Sequence, residues 1–241
     1  MRVGTVAQLA RLEADGQGIE TARRTTRKRL SHLESYGLVR RFINTARDRP
    51  TGPPGFVYVL TTVGARLTGQ PDLPGLGLGQ RKVWHPSRAF IDHWLAIGDL
   101  YVELSVRARS GDVAIKEFNI EGSAKRNYRD GYGRMQILRP DAFIRVATGG
   151  NVLSWFIEVD RATESPRQLA QKCRAYRAYE LSRQEQRHSG VFPGVLFIVP
   201  DERHAGVVGQ VIASQPPEAR GLFWVTIKAE AIDALTHPDL G

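Results

Sequence analysis

Residues 138–164, LRPDAFIRVATGGNVLSWFIEVDRATE, contain two apolar runs that are separated by the glycine-rich sequence TGGN. Two strand-like runs that flank a short glycine turn predict a β-hairpin. Asp141 begins the first arm, whereas Glu158 and Asp160 end the second. Because the connecting loop is short, we expect these acidic ends of the two arms to lie close together.

The segments around this hairpin predict helices and further strands. Ser165, Pro166 and Gln168 have the spacing of a helix start, with a capping box and a proline in the first turn. The run GVLFIVPD, residues 194–201, predicts a strand that is buried on both faces. The other predicted elements are a helix from near Ser87, a strand at 113–121, a helix from Glu202 and a strand at 221–230. This order predicts an α/β fold with a mixed sheet and helices on its faces.

The positive charge of the chain is concentrated near its start. Of the net charge of +9, most comes from residues 1–69, which hold 12 lysines and arginines against 5 acidic residues. The glycine- and proline-rich sequence GQPDLPGLGLGQ, residues 69–80, predicts a linker. We therefore predict a basic domain at 1–68, a linker at 69–82 and a second domain at 83–241.

The composition also restricts the function. A sequence pI near 10.0 favours a polyanionic partner, with nucleic acid ahead of a membrane surface. The sequence contains no apolar run long enough for a membrane span and no secretory signal, so we expect a cytoplasmic protein without a membrane partner. Cys173 is the only cysteine, which excludes an internal disulfide and a multi-cysteine zinc site.

The basic domain has the element order of a winged helix-turn-helix. A short helix is followed by a longer one that ends at Gly37, a typical residue just after a helix end. Two strand-like runs and a closing helix come next. The helix that usually precedes the short one is missing from the pattern. Either the domain is a trimmed version of this fold, or another segment or another subunit supplies the missing packing. The predicted elements are TVAQLARLE, ETARRTTRKRLSHLESYG, LVRRF, FVYVL and TTVGARL.

The longer helix separates apolar from basic residues. Ala22, Thr26, Leu30 and Leu33 share one side and are expected to pack on the first helix. The other side suits the major groove of double-stranded DNA, where cations neutralise phosphates or contact guanine. The alternative is an ordinary solvated basic face. The predicted DNA-binding residues are Arg23, Arg24, Thr25, Arg27, Lys28 and His32, with Arg47 and Arg49 in the loop between the strands.

The acidic strand ends suggest a metal site. Carboxylates that lie close together repel one another unless a cation sits between them, and Mg²⁺ or Mn²⁺ would serve this purpose. We therefore predict Asp141, Glu158 and Asp160 as metal ligands and catalytic residues. The alternative is that Asp160 pairs with Arg161 or Arg139, and that Glu158 caps the helix that begins after it.

The same acids resemble the PD-(D/E)XK nuclease pattern, in which an Asp at a strand end is followed by Glu-x-Lys on the next strand. Asp160 stands where that family has its lysine. The resemblance implies that Lys172, on the following helix, can take its place, and that Asp99 or Glu103 can add a further acid. His93, together with Tyr176 and Tyr179, would join a phosphate-facing pocket. The alternative is that Tyr176 belongs to the core with Cys173 and that His93 is an ordinary surface or half-buried histidine.

The chain as a whole resembles the replication-relaxation family of bacterial plasmid and mobile-element proteins. The resemblance rests on RLSHLESYGLVRR, FVYVLTTVGARL and above all FIEVDRATES with the LAQKCRAY helix that follows. It implies DNA binding in plasmid replication or in relaxation of DNA at a transfer origin. The predicted function is thus DNA binding with a metal-dependent endonuclease-like domain, possible homodimerisation and partners among replication or relaxosome proteins. The alternatives are a non-catalytic regulator or accessory factor, whose degenerate nuclease fold serves dimerisation or docking, and a transcriptional regulator with a sensor domain.

Overall fold

The chain forms two compact units, Met1–Val106 and Arg107–Gly241. Among the described helices, none combines the length and the hydropathy that a membrane span requires. Apart from Gly69, the predicted linker lies outside the described residues, as do Arg47 and Arg49. The computed structural model describes residues 3–14, 16, 18–44, 55–69 and 87–237.

The first unit combines helices with a three-stranded antiparallel sheet. Its sheet has the order β1-β3-β2, so the short strand β1, which the sequence pattern does not predict, pairs with β3 at one edge. The elements are β1 (Val3–Thr5), α1 (Val6–Glu13), α2 (Ile19–Ser35), β2 (Val39–Asn44), β3 (Gly55–Leu60), α3 (Thr62–Leu67) and α4 (Arg88–Ala108).

Helix α2 has the predicted end and most of the predicted buried face. Gly37 adopts a left-handed φ of 68°, and the amide of Leu38 donates to the carbonyl of Leu33 at 2.9 Å, which closes the helix. Ala22, Thr26 and Leu30 are buried. The side chain of Leu33 is 37% exposed, so its predicted place in the packing is wrong. Leu33 lies in the last turn of α2, outside the apolar cluster that Leu30 forms with Val39 and Tyr58.

Helix α4 packs against α1 through polar contacts. The side-chain amide of Gln8 donates to the Leu95 carbonyl at 2.9 Å and to the Asp99 carboxylate at 2.7 Å. Arg11 forms a two-pronged ion pair with Glu103. Most of α4 thus belongs to the first unit.

The second unit is built on a mixed five-stranded sheet of order β10-β9-β8-β7-β4, which confirms the predicted α/β class. Strands β8, β9 and β10 run parallel, whereas β7 is antiparallel to both β8 and β4. A separate ribbon pairs β5 with β6. The elements are β4 (Val113–Ile120), β5 (Arg126–Arg129), β6 (Met135–Leu138), β7 (Ala142–Thr148), β8 (Asn151–Val159), α5 (Pro166–Leu181), α6 (Gln184–Ser189), β9 (Gly194–Val199), α7 (Glu202–Ala213), α8 (Pro217–Arg220), β10 (Phe223–Ile227) and α9 (Ala231–Thr236).

The β7–β8 hairpin forms as predicted. Thr148 pairs with Asn151, and the two residues between them, Gly149 and Gly150, have φ values of 55° and 81°. A two-residue turn with both φ values positive matches the right-handed twist of the strands, and glycine adopts it without steric cost. The turn therefore fixes the register of β7 on β8.

Alternation along the strands separates the two faces of this sheet. Phe143, Phe156 and Phe197 lie in the apolar core beneath α5 and α7, which contribute Tyr176 and Val208 to it. On the opposite face, the indole of Trp155 donates to the Leu235 carbonyl of α9 at 3.2 Å. Since residues two apart in a strand share a face, Glu158 lies on the α5 side with Phe156.

Candidate functional site

The start of β7 and the end of β8 are joined by backbone and side-chain hydrogen bonds. The amide of Asp141 donates to the Ile157 carbonyl at 3.0 Å, and the Asp141 carboxylate accepts from the Val159 amide at 2.8 Å. Asp141 and Glu158 therefore lie at the same end of the sheet. This arrangement follows from the short turn at Gly149, which brings the start of one arm beside the end of the other.

The carboxylate of Glu158 is buried beneath α5. One of its oxygens accepts from the Tyr176 hydroxyl at 2.5 Å, and the other accepts from the Lys172 ammonium at 2.5 Å. Lys172 and Tyr176 are one helical turn apart, so both side chains extend from the same face of α5. The Lys172 ammonium also donates to Glu164 at 2.6 Å. We call Asp141, Glu158, Glu164, Lys172 and Tyr176 the carboxylate–lysine cluster.

Burial and neighbouring charges perturb the titration of this cluster. Burial, together with the charge of Asp141, raises the pKa of Glu158 to about 7, although Lys172 and Tyr176 act in the opposite direction. Burial also acts to lower the pKa of Lys172, but the charges of Glu158 and Asp141 outweigh it and raise that pKa. Lys172 is thus a cation at neutral pH, where Glu158 is divided between its charged and neutral forms.

Asp160 has a different local role from Glu158. It is buried, and its carboxylate accepts from the backbone amides of Thr163 at 3.1 Å and Glu164 at 3.4 Å. Ala162, inside this turn, adopts a left-handed φ of 62°. The carboxylate of Asp160 thus organises the turn that carries Glu164 to Lys172. Its predicted role as a metal ligand stays a prediction.

The start of α5 has its own cap. The side chains of Ser165 and Gln168 satisfy each other's backbone amides, which confirms the predicted capping box. Glu158 therefore does not cap this helix, and that alternative is wrong. Its oxygens are directed at Lys172 and Tyr176 instead.

The cluster contains more carboxylates than cations. Glu158 and Glu164 contact the Lys172 ammonium, on which the charge of Asp141 also acts. Oε2 of Glu164 is buried without a hydrogen-bond partner among the described residues. Mg²⁺ takes oxygen ligands and in proteins often binds one or two carboxylates, with water and phosphate oxygens completing its shell. Within the described ranges, no three His, Cys, Asp or Glu side chains are placed to hold a metal ion. An ion at this place would therefore take two carboxylates from the protein and its remaining oxygens from water or a substrate.

The two additional predicted acids have partners in the first unit. Asp99 accepts from Gln8, and Glu103 is paired with Arg11. Tyr176 and Tyr179 are each 1% exposed and belong to the core, together with Cys173. Burial and the charge of Glu158 raise the pKa of the Cys173 thiol to about 11, so this cysteine stays protonated at neutral pH.

Helix α2 presents the predicted cations on its exposed side. Arg24, Arg27, Lys28 and His32 are exposed, on the opposite side from Ala22, Thr26 and Leu30. We call these four exposed residues the basic α2 face. Arg23 and Thr25 are half-buried at its margin, where Arg23 is paired with Glu20.

A second buried polar network is not apparent in the sequence. Glu185 is 4% exposed and accepts from Arg126 at 2.9 Å and from the Tyr179 hydroxyl. The guanidinium of Arg126 lies 4.6 Å from the ring centroid of Phe143. Glu185 and Arg126 are too far apart in sequence for spacing to reveal the pair. A buried acid needs such a partner, so this network is structural.

One comparison with known proteins gives a match. The model of the family described as replication-relaxation matches residues 1–195. This range includes the basic α2 face and the whole carboxylate–lysine cluster. No curated protein and no solved structure matches the chain.

Proposed function

The chain belongs to the replication-relaxation family, and we propose that its first unit binds double-stranded DNA as a winged helix-turn-helix. Membership of this family suggests a role in plasmid or mobile-element replication. In the proposal, α2 enters the major groove and β2 with β3 forms the wing. The observation that carries this proposal is the basic α2 face, whose cations lie opposite the buried side of the helix.

The ion pairs of α2 support this choice of surface. Arg23 and Arg29 are paired with Glu20 and Glu13, so part of the charge of the helix is used within the protein. Arg24, Arg27 and Lys28 are exposed beyond these pairs. A continuous cationic face on a helix suits the phosphates that border the major groove.

Duplex affinity as a function of salt tests this assignment. Lys28→Ala should weaken binding of a labelled duplex in fluorescence anisotropy, and it should reduce the slope of log affinity against log salt by about 0.9 for the lost phosphate contact. Arg203→Ala is the matched control, because it removes an exposed arginine from α7 in the second unit. If Lys28→Ala and Arg203→Ala give the same slope as the unaltered protein, α2 is not the DNA-binding helix.

Metal-dependent cleavage of a phosphodiester is the second candidate function, and the carboxylate–lysine cluster favours it. Asp141 and Glu158 would hold Mg²⁺ or Mn²⁺, and the bound ion would supply an activated water and stabilise the charge that develops on a phosphate. Lys172 is held at 2.5 Å from Glu158 and supplies the ammonium that the PD-(D/E)XK pattern has at the position of Asp160. Its role is to neutralise a phosphate oxygen, while Tyr176 fixes the orientation of Glu158.

A plasmid-nicking assay separates the two candidates. Asp141→Asn preserves an acceptor for the Val159 amide but removes the charge. With supercoiled plasmid and Mg²⁺ or Mn²⁺, the unaltered chain should nick and Asp141→Asn should not, while Asp201→Asn, in an exposed helix cap, serves as the control. If duplex binding occurs without nicking by any of the three proteins, the second unit functions as a non-catalytic module of a regulator or relaxosome accessory factor, used for dimerisation or docking.

A further inference from the structure

The β5–β6 ribbon is an insertion between β4 and β7 with its own two-stranded sheet. One side of the ribbon packs against the rest of the second unit. Tyr128 and Leu138 are each 5% exposed, and the ring of Tyr128 packs 5.0 Å from that of Tyr179. Gln184 of α6 donates to the Asn127 carbonyl at 2.8 Å. The ribbon is therefore fixed to the second unit along one side, and its other side faces solvent.

The tip of the ribbon is a fixed turn. The carboxylate of Asp130 accepts from the amides of Tyr132 at 2.9 Å and Arg134 at 3.0 Å, and from the side chain of Gln136 at 2.9 Å. Gly133 provides the left-handed residue, with a φ of 77°. The hydrogen bonds from Gln136 and then from the two amides lower the pKa of Asp130. The only acid of the ribbon is thus engaged inside its own turn.

The tip presents an aromatic ring beside cations. Tyr132 is 86% exposed, and the guanidinium carbon of Arg134 lies 5.5 Å from its ring centroid. Arg129 and Met135 form a cross-strand pair whose side chains are exposed, and Ile137 is exposed on the same side. The solvent side of the ribbon therefore combines a ring, aliphatic side chains and guanidinium groups.

The charges of this solvent side are of one sign. Arg129, Arg134 and Arg139 are exposed, whereas Arg126 is occupied by Glu185. Protein surfaces usually mix both signs, and a surface that carries only cations attracts a polyanion. Proteins that hold single-stranded nucleic acid combine such cations with exposed aromatic rings on which bases stack. An intact duplex offers no unstacked base to Tyr132, so the ring favours a single strand.

The ribbon leads directly into the carboxylate–lysine cluster. Strand β6 ends at Leu138, and only Arg139 and Pro140 separate it from Asp141. We propose that the solvent side of the β5–β6 ribbon binds single-stranded DNA, which stacks a base on Tyr132 and contacts Arg129 and Arg139 with its phosphates. This site is separate from the duplex-binding α2, and it shares with the proposed function only the premise that DNA is the partner.

Fluorescence anisotropy with labelled oligodeoxythymidine and the full chain tests the proposal. Tyr132→Ala should weaken binding at least about fivefold, whereas Tyr132→Phe keeps the ring and should retain the affinity. Arg129→Ala should reduce the salt slope by about 0.7, as expected for one phosphate contact on a single strand. Arg203→Ala should leave both quantities unchanged. The Tyr132 and Arg203 variants should keep the melting temperature of the unaltered chain, because these side chains are exposed. Arg129→Ala also removes a hydrogen bond to the Gly133 carbonyl, so its melting temperature is measured alongside its affinity.

The two DNA sites are distinguished by measuring the affinity of each variant for both the duplex and the single strand. Lys28→Ala should weaken duplex binding only, and Tyr132→Ala should weaken single-strand binding only. If the chain neither binds a duplex nor nicks plasmid, but Tyr132→Ala still weakens oligodeoxythymidine binding, the ribbon proposal is supported and the proposed function is not. The proposal is overturned if Tyr132→Ala and Arg129→Ala bind the oligonucleotide as the unaltered chain does. It is also overturned if Tyr132→Ala weakens binding of a blunt duplex as much as it weakens binding of the single strand. A third contrary outcome is a dimer of the unaltered chain in sedimentation that Tyr132→Ala converts to a monomer, because the ribbon would then bind a second copy of the chain.

Discussion

The buried carboxylate of Glu158 should make the stability of the second unit fall as the pH rises. Its pKa in the folded chain is raised to about 7 by burial and by Asp141, from an ordinary value of 4.5. Between these two values the native state holds a proton that the unfolded chain has released, so the free energy of unfolding decreases with increasing pH. At about 1.4 kcal/mol per pH unit, the loss across this window is about 3 kcal/mol.

Glu158→Gln isolates this contribution, because the amide does not titrate. We expect the free energy of unfolding of the variant, relative to the unaltered chain, to rise by about 3 kcal/mol between about pH 4.5 and about pH 7.5. The constant effect of the altered hydrogen bonds to Lys172 and Tyr176 cancels in this comparison across pH. Urea unfolding followed by tryptophan fluorescence at a series of pH values gives both curves.

Two further variants should move the window in opposite directions. Asp141→Asn removes a charge that raises the pKa of Glu158, so the fall in the free energy of unfolding should end at a lower pH. Tyr176→Phe removes a hydrogen bond that lowers this pKa, so the fall in the free energy of unfolding should continue to a higher pH. If the free energies of unfolding of the unaltered chain and of Glu158→Gln run parallel across pH, the reasoning is refuted. Glu158 would then have the same pKa in the folded and the unfolded chain.

Two other substitutions test packing and charge. A Cβ added at Gly64 would overlap the backbone carbonyl of Leu38, so Gly64→Ala should lower stability by about 1–3 kcal/mol. Gly209→Ala, where a Cβ has open space in α7, should instead raise it by up to about 1 kcal/mol, and thermal melts that rank the two variants in the reverse order would exclude this packing. Lys172→Met leaves Glu158 without its cation and should cost about 3 kcal/mol above pH 7 but less in acid, where Glu158 is neutral. Urea curves at two pH values measure the difference, and an equal loss at both would contradict it.

Much of the second unit is predictable because its elements carry local signals. The turn at Gly149 and Gly150, the capping box at Ser165 and the apolar run of β9 each specify structure within a few residues. Strand β1 has only three residues, too few for a periodic pattern. The β5–β6 ribbon also escapes prediction, because its outward residues are polar in β5, at Asn127 and Arg129, but apolar in β6, at Met135 and Ile137.

The candidate site is predictable only where its residues follow regular geometry. Lys172 and Tyr176 share a face of α5, so helical spacing places both near Glu158. Asp160 is two residues beyond Glu158, but β8 ends at Val159, and alternation no longer determines its direction. Glu164 reaches Lys172 through a turn with a left-handed alanine, and no short-range pattern indicates such a path.

The sharing of Lys172 between Glu158 and Glu164 makes any anion that approaches it a competitor of two resident carboxylates. Protonation of Glu158 releases one of these competitors, and its pKa of about 7 places that event within the physiological range. Mild acidification thus leaves the ammonium with Glu164 as its one charged partner in the cluster, and alkaline conditions restore its pairing with both carboxylates.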